Sequence, residues 1–296
     1  MPFLLCCSLL AALAKEECAD SSSLAVGQLA GKLAVITGAS RGVGAELARV
    51  YAREGAFVVV NYFSSKEKGE AVAAEINAAW PSRALAAQGD VTVKEDMVKL
   101  VADAETHFGR KVSVVVNNAL PRYKFDPGSS MASIKTVSTE DLEQQMRGTL
   151  AGAVNMVQAA LPSFEASKFG KVVNIGSNLV YNPVVTYYDY TAAKAALAAL
   201  VGLTRNLAAE LGPSGVRVNL VAGGLLETTD ASALTTKEVF GFVSAGTPLR
   251  KTTTVNDFAE ARRCHTHTQA CVFFASDASN AVTGQSLSVD GGLTMP

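Results

Sequence analysis

Between Cys18 and Cys264 the chain has no cysteine. Its five cysteines, Cys6, Cys7, Cys18, Cys264 and Cys271, crowd toward the two ends. Neither a disulfide framework nor a zinc-ligand spacing therefore runs through the body of the chain. A reducing compartment is the easier fit. An excess of charge of one sign is also missing. The formal net charge is −1 over 296 residues, with no basic block, so a nucleic-acid surface is not indicated and acidic partners gain no support. The apolar run inside the opening "MPFLLCCSLLAALAKEECAD" is too short to span a bilayer. Its "ALA" at residues 12–14 resembles the end of a signal peptide, yet no basic n-region precedes it and acidic residues follow. Residues 1–27 are expected to be an extension, flexible or helical. The expected location is cytoplasmic, or an organelle lumen if that extension is a targeting signal. No Pro/Ser linker and no solenoid period divides the remainder, so 28–296 reads as one domain.

Hydrophobic residues make up 49% of the chain and charged residues 18%. From Gly31 onward, short runs rich in Val and Ile alternate with helical patterns. "KLAVIT" (32–37), "AFVVVN" (56–61), "RALAAQ" (83–88), "VSVVVN" (112–117), "KVVNIG" (171–176), "VRVNLV" (216–221) and "SLSVD" (286–290) read as strands. Most show little polar alternation, as expected where both faces are buried. Strands alternating with helices imply right-handed crossovers and a parallel, doubly wound α/β sheet of about seven strands with helices on both faces.

"VITGASRGVGAELA" follows the first strand and opens the first helix. It sets Gly38, Gly42 and Gly44 in the pattern G-x-x-x-G-x-G. Glycines there permit a tight turn and close backbone approach, and a helix N-terminus offers free N–H groups to a pyrophosphate. The required context, a strand before and a helix after, is met, so a dinucleotide site is expected. In "YDYTAAKAAL" (188–197), Tyr190 and Lys194 stand at i and i+4 and share a helix face. A phenol ordinarily titrates near about 10; an adjacent ammonium favours the phenolate and lowers that value. Tyr187 and Tyr188 lack a lysine four residues on and read as rim or packing residues. Late in the chain, Cys264, His265, His267 and Cys271 gather, but histidines two apart do not share a helix face. No metal is expected.

With these motifs the chain resembles the short-chain dehydrogenase/reductase family. The family's T-G-x-x-x-G-x-G matches Thr37 to Gly44, and its N-N-A matches Asn117, Asn118 and Ala119. Its serine after the fifth strand matches Ser177, and its Y-x-x-x-K matches Tyr190 to Lys194, thirteen residues beyond that serine. The likeness covers roughly residues 30–296. Wording such as "VVVNYFSSKEK", "LAAELGPSGVRVN" and "VDGG" is most similar to the 3-oxoacyl-[acyl-carrier-protein] reductase branch. The resemblance implies a single-domain Rossmann-type fold and an oxidoreductase. Tyr190 would be the general acid in carbonyl reduction. Ser177 would orient the substrate oxygen, and Lys194 would lower the tyrosine pKa and bind the nicotinamide ribose.

It also implies a cofactor site from Gly38, Ser40, Arg41, Gly42, Val43 and Gly44, with Asp90 and Val91 at the adenine, Asn118 and Ala119 along the ribose, and Gly223, Gly224, Leu226 and Thr228 beside the nicotinamide. Members preferring NAD carry an acid at the end of the second strand. Here Asn61 stands there, with Arg41, Ser64, Ser65 and Lys66 near, so NADP(H) is expected. The implied partners are a small carbonyl or acyl thioester, acyl carrier protein as presenter of the thioester, and further copies of the chain in a tetramer or dimer.

The sequence also departs from the family's pattern. Thr149 occupies the place of an asparagine that helps hold a water in the proton relay; Asn155, a turn or more further on, is not expected to substitute. Leu120 replaces a glycine. Gly223 replaces a proline, which is expected to loosen its loop. "PRYKFDPGSSMASIKTVSTED" (121–141) is long and is expected to add rim to the substrate mouth, and "RRCHTHTQA" (262–270) interrupts a helical pattern.

Overall fold

The computed structural model describes residues 27–295 apart from 121–124, 127, 199–201, 228, 230–231, 256 and 258–269. The extension at 1–26 and the Cys264, His265 and His267 group thus lie outside the described residues.

The first half alternates strand and helix: β1 (Leu33–Ile36), α1 (Gly42–Arg53), β2 (Phe57–Tyr62), α2 (Lys66–Ala79), β3 (Ala84–Gln88), α3 (Lys94–Phe108) and β4 (Val112–Asn117). There follow α4 (Thr139–Met146), a π-helical turn (Arg147–Ala151), α5 (Gly152–Ser167), β5 (Gly170–Ser177), α6 (Tyr188–Ala198), α7 (Leu203–Leu211) and β6 (Val216–Gly223). The chain ends through β7 (Leu226–Glu227), α8 (Lys237–Gly246), β8 (Thr253–Thr254), α9 (Ala270–Ala275) and β9 (Ser286–Val289). Seven strands form one sheet in the order β3-β2-β1-β4-β5-β6-β9, every pairing parallel. All seven are the expected strands, displaced by a residue or two at their ends.

Side chains alternate across a strand, so each Val-rich run feeds two cores. Ala34 and Ile36 of β1 join Val58 and Val60 under α1 and α2, where Leu47, Tyr51, Val72 and Ile76 meet them. Leu33 and Val35 turn the other way, onto Met97 and Leu100 of α3 and Met156, Ala160 and Phe164 of α5. Each such aliphatic side chain taken fully out of water contributes roughly 1.5–3 kcal/mol. That is why these runs carry almost no polar alternation. Cys271 of α9 lies wholly inside the first core, where burial pushes its thiol pKa up; its carbonyl accepts a 2.8 Å hydrogen bond from the Tyr51 hydroxyl.

The chain runs outward from β1 to β3 and then crosses to β4 on the other side of β1. The crevice at such a reversal, beyond the carboxyl ends of the strands, is where doubly wound folds bind ligands. The glycine loop leaves β1 there, and Asn118 leaves β4 beside it. No helix among the described residues is long and apolar enough to cross a membrane.

Candidate active site

The glycine loop is built for close approach. Gly38 has φ +63°, and a Cβ on it would lie 2.9 Å from the Ala119 Cα. A Cβ on Gly44 would lie 2.5 Å from Asn118 Nδ2 and 2.7 Å from the Gly38 carbonyl oxygen. Gly42, at φ +55°, has no atom within 4 Å of the place a Cβ would take, so the loop is tight underneath and open above. Arg41 caps α1 with an extended backbone, no side chain closes that cap, and no acid lies in the first turn. The helices α2, α3 and α4 all carry acids there. The unneutralised end of α1 favours an anion, so the residues present fit a dinucleotide pyrophosphate. Val43 packs back onto the core, Ser40 is half-buried, and Arg41 and Ser64 are exposed.

The loop is held from below by three residues. Thr37 Oγ1 accepts from the backbone N–H groups of Asn118 and Ala119, both at 3.0 Å. Asn118 Nδ2 donates to the carbonyls of Thr37 (2.9 Å) and Gly38 (3.1 Å). Asn61 is only 1% exposed. Its Oδ1 accepts from Gly38 N at 3.2 Å, and its Nδ2 donates to the Gly89 carbonyl at 3.1 Å. Asn61 thus braces the glycine loop from beneath. Asp90 Oδ1 accepts from Thr92 N (2.9 Å) and Thr92 Oγ1 (2.8 Å), which shapes the turn after β3. Asn155 Nδ2 donates to the Val91 carbonyl at 2.9 Å, fixing that turn against α5.

Ser177, Tyr190 and Lys194 come together on the far side of the crevice. Ser177 closes β5 and faces Gly223 across the sheet. Tyr190 and Lys194 share one face of α6, as their spacing requires, and both are buried at 8% and 3% exposure. The Lys194 ammonium lies 5.9 Å from the centre of the Tyr190 ring and donates to the Ile175 carbonyl at 2.7 Å. Burial pushes the Tyr190 phenol up to about 12, against the downward pull of its hydrogen bond with Ser177. Burial brings Lys194 down to about 8. The lowering of the tyrosine expected from the lysine does not show: burial raises the phenol, and what pulls it down is its hydrogen bond with Ser177.

Thr149 sits in the π-helical turn between α4 and α5, a departure from α-helix that often marks functional sites. Its Oγ1 and Asn117 Oδ1 are buried with no hydrogen-bond partner among the described residues. Both residues, with Lys194 and Thr37, line a cavity of about 10 Å³, close to the room one water needs.

Gly223 is the last residue of β6 and pairs with Val289, and Gly224 N donates to the Val289 carbonyl at 3.3 Å. Gly223, which stands where a proline is expected, is thus the sheet-paired start of its loop. Leu226 is pinned by the pairing of β7 with Thr253 of β8. Thr228 lies outside the described residues. Asp290, buried, was missed as part of the site. Its Oδ2 accepts from Asn178 Nδ2 (3.0 Å), Thr294 N (3.0 Å) and Thr294 Oγ1 (2.6 Å), tying the C-terminal turn to the neighbour of Ser177. An Asp followed by two glycines at a strand end is a turn signal that points to it.

A family model described as enoyl-(acyl carrier protein) reductase matches residues 38–294. An uncharacterised oxidoreductase of Methylorubrum extorquens is 35% identical over 268 residues, 90% of this chain and 99% of that protein. A 3-oxoacyl-[acyl-carrier-protein] reductase of Staphylococcus aureus is 32% identical over 268 residues, 89% of this chain and 98% of that protein. Among solved structures, a gluconate 5-dehydrogenase from Burkholderia cenocepacia in complex with NADP and tartrate superimposes with a TM-score of 0.77 at 28% identity, covering 91% of this chain and 98% of that one. The chain belongs to the short-chain dehydrogenase/reductase family of oxidoreductases.

Proposed function

We propose that the chain reduces a ketone to a secondary alcohol with NADPH, a 3-oxoacyl thioester being the first substrate to try. The observation that carries this is the buried Ser177–Tyr190–Lys194 group opposite the open glycine loop. When bound, the reduced nicotinamide supplies a hydride to the carbonyl carbon. Ser177 holds the carbonyl oxygen, and Tyr190 gives its proton to that oxygen as the C=O π bond breaks. A phenol raised to about 12 is protonated throughout the neutral range, which suits it to donate. The buried Lys194 ammonium stands behind it as a source of charge and of a replacement proton. A water in the small cavity would join Lys194 to Thr149 and Asn117, so Thr149 serves as a positioning residue for proton return.

The choice of NADPH rests on the lack of any acid from Asn61 to Lys66 and on the exposed Arg41 and Ser64. The NADP in the gluconate dehydrogenase complex points the same way. That β9 is an edge strand with Leu287 44% exposed supports assembly with further copies, as a dimer or tetramer. Acyl carrier protein is the natural presenter if the substrate is a thioester.

The test is the loss of reduced-nicotinamide absorbance with acetoacetyl thioester and a broad ketone panel, with NADPH and NADH compared. No turnover of any ketone sinks the reading, and a preference for NADH overturns the cofactor choice. Thr149→Asn should keep the rate, whereas Thr149→Val should slow it about tenfold, with binding of NADPH unchanged in both.

A further inference from the structure

Tyr190 carries an apolar enclosure that none of its catalytic duties requires. Its ring packs with Leu179 and Tyr187, and Leu120, Phe125, Met131 and Ala132 close around the three. Phe125 stands edge-on to both tyrosines, with ring centroids 5.1 Å from Tyr190 and 5.2 Å from Tyr187. The wall is anchored, because Thr186 Oγ1 donates to the Ala132 carbonyl at 2.7 Å and so ties the stretch after β4 to the stretch after β5. The charge acting on Tyr187 is negative: Asp126 adds to burial in raising its phenol. A sugar acid placed there would set hydroxyls and a carboxylate against aromatic edges and an aspartate, leaving polar groups unpaired at a cost. An apolar group beside the carbonyl would replace water on the half-buried face of Phe125 at a gain. Aromatic rings also prefer the edge-to-face contacts that Phe125 and Tyr187 present.

We infer that Phe125 and Tyr187 form a specificity clamp that selects ketones bearing an aromatic or other bulky apolar group next to the carbonyl, and rejects polyhydroxylated acids. This rests on the carbonyl-reductase reading of the same site. It separates this chain in substrate from the gluconate dehydrogenase it resembles in shape.

The experiment pairs ethyl benzoylacetate with 5-keto-D-gluconate in NADPH-consumption assays on the full chain, for wild type, Phe125→Ala and Phe125→Leu. Wild type should favour the aryl ketone at least a hundredfold in kcat/KM. Phe125→Ala should raise KM for the aryl ketone about tenfold with a smaller change in kcat, and Phe125→Leu should recover part of the loss. Saturation-transfer NMR reads ethyl benzoylacetate binding without turnover. The aryl protons should receive saturation from wild type and lose most of it with Phe125→Ala, while NADPH binds both alike. If no ketone is reduced but this NMR difference appears, the reductase reading fails and the clamp stands. Comparable turnover of 5-keto-D-gluconate, or aryl ketone binding indifferent to Phe125→Ala, overturns the clamp.

Discussion

Tyr190 and Lys194 each bear an opposite displacement from one cause. Burial disfavours whichever form is charged, so it raises the phenol and lowers the ammonium. The pair is therefore a protonated donor backed by a cation that parts with its proton more easily than an exposed lysine does. Tyr190→Phe keeps the ring and its contacts with Phe125 and removes only the acid. Turnover should fall by about 10²–10⁴ while NADPH binding, followed by fluorescence, stays within a factor of a few. A variant retaining most of the wild-type rate would falsify the assignment of the acid. The shared face of Tyr190 and Lys194 was legible in the sequence, because i, i+4 on a helix is a local fact; Ser177 was legible only through the family resemblance. The sign of the tyrosine shift was not legible. It depends on how much protein surrounds the hydroxyl, and that is set by Leu120, Phe125 and Met131, which arrive from another part of the chain.

At the scale of elements, the glycine loop works because β1, β2 and β4 press three things against it: Thr37, Asn61 and Asn118. Gly44→Ala puts a methyl 2.7 Å from a backbone carbonyl and 2.5 Å from the Asn118 amide. Neither can retreat without giving up a hydrogen bond that holds the turn. NADPH affinity should drop at least tenfold in fluorescence titrations while the far-ultraviolet circular dichroism stays native; unchanged affinity would show that the cradle tolerates a Cβ. Asp290 does the corresponding service for the catalytic serine's neighbour. Asp290→Ala leaves Asn178 Nδ2 and Thr294 N without their acceptor, a loss of about 3 kcal/mol, read as a lower urea midpoint. A midpoint equal to wild type would mean that solvent replaces the carboxylate freely. Strand-by-strand architecture could be read from Val-rich runs because a doubly buried strand has no polar face to disguise it. The braces could not, since Asn61 facing inward and Asn61 facing a ribose are the same letter at the same strand end.

At the scale of the whole molecule, two lysines among the described residues lie in the interior, Lys194 and Lys171. Lys171 is fully buried against Ser279, and burial also brings it down to about 8. Both fall from an ordinary 10.5, so between about pH 8 and pH 10 the unfolded chain holds protons that the folded one has released. Stability must then rise with pH across that window. Cys271 opposes the rise from its ordinary 9.0, because its buried thiol keeps its proton. Beyond pH 10 Tyr190 helps to reverse the trend, since the unfolded phenol ionises at its ordinary 10.0 whereas the folded one keeps its proton to about 12. Urea unfolding from pH 7 to 11 should show a maximum near 10, and Lys194→Met should flatten the rise; a steady fall from pH 8 upward would contradict both lysine shifts.

The tether from Asp290 to Asn178 also orders events in time. A ribosome makes the nucleotide-gripping half of the molecule first, and the turn that steadies the neighbour of the reactive serine follows only after β9. A nascent chain arrested between β6 and Asp290 should already retain a dinucleotide yet turn over far more slowly than one that includes the turn.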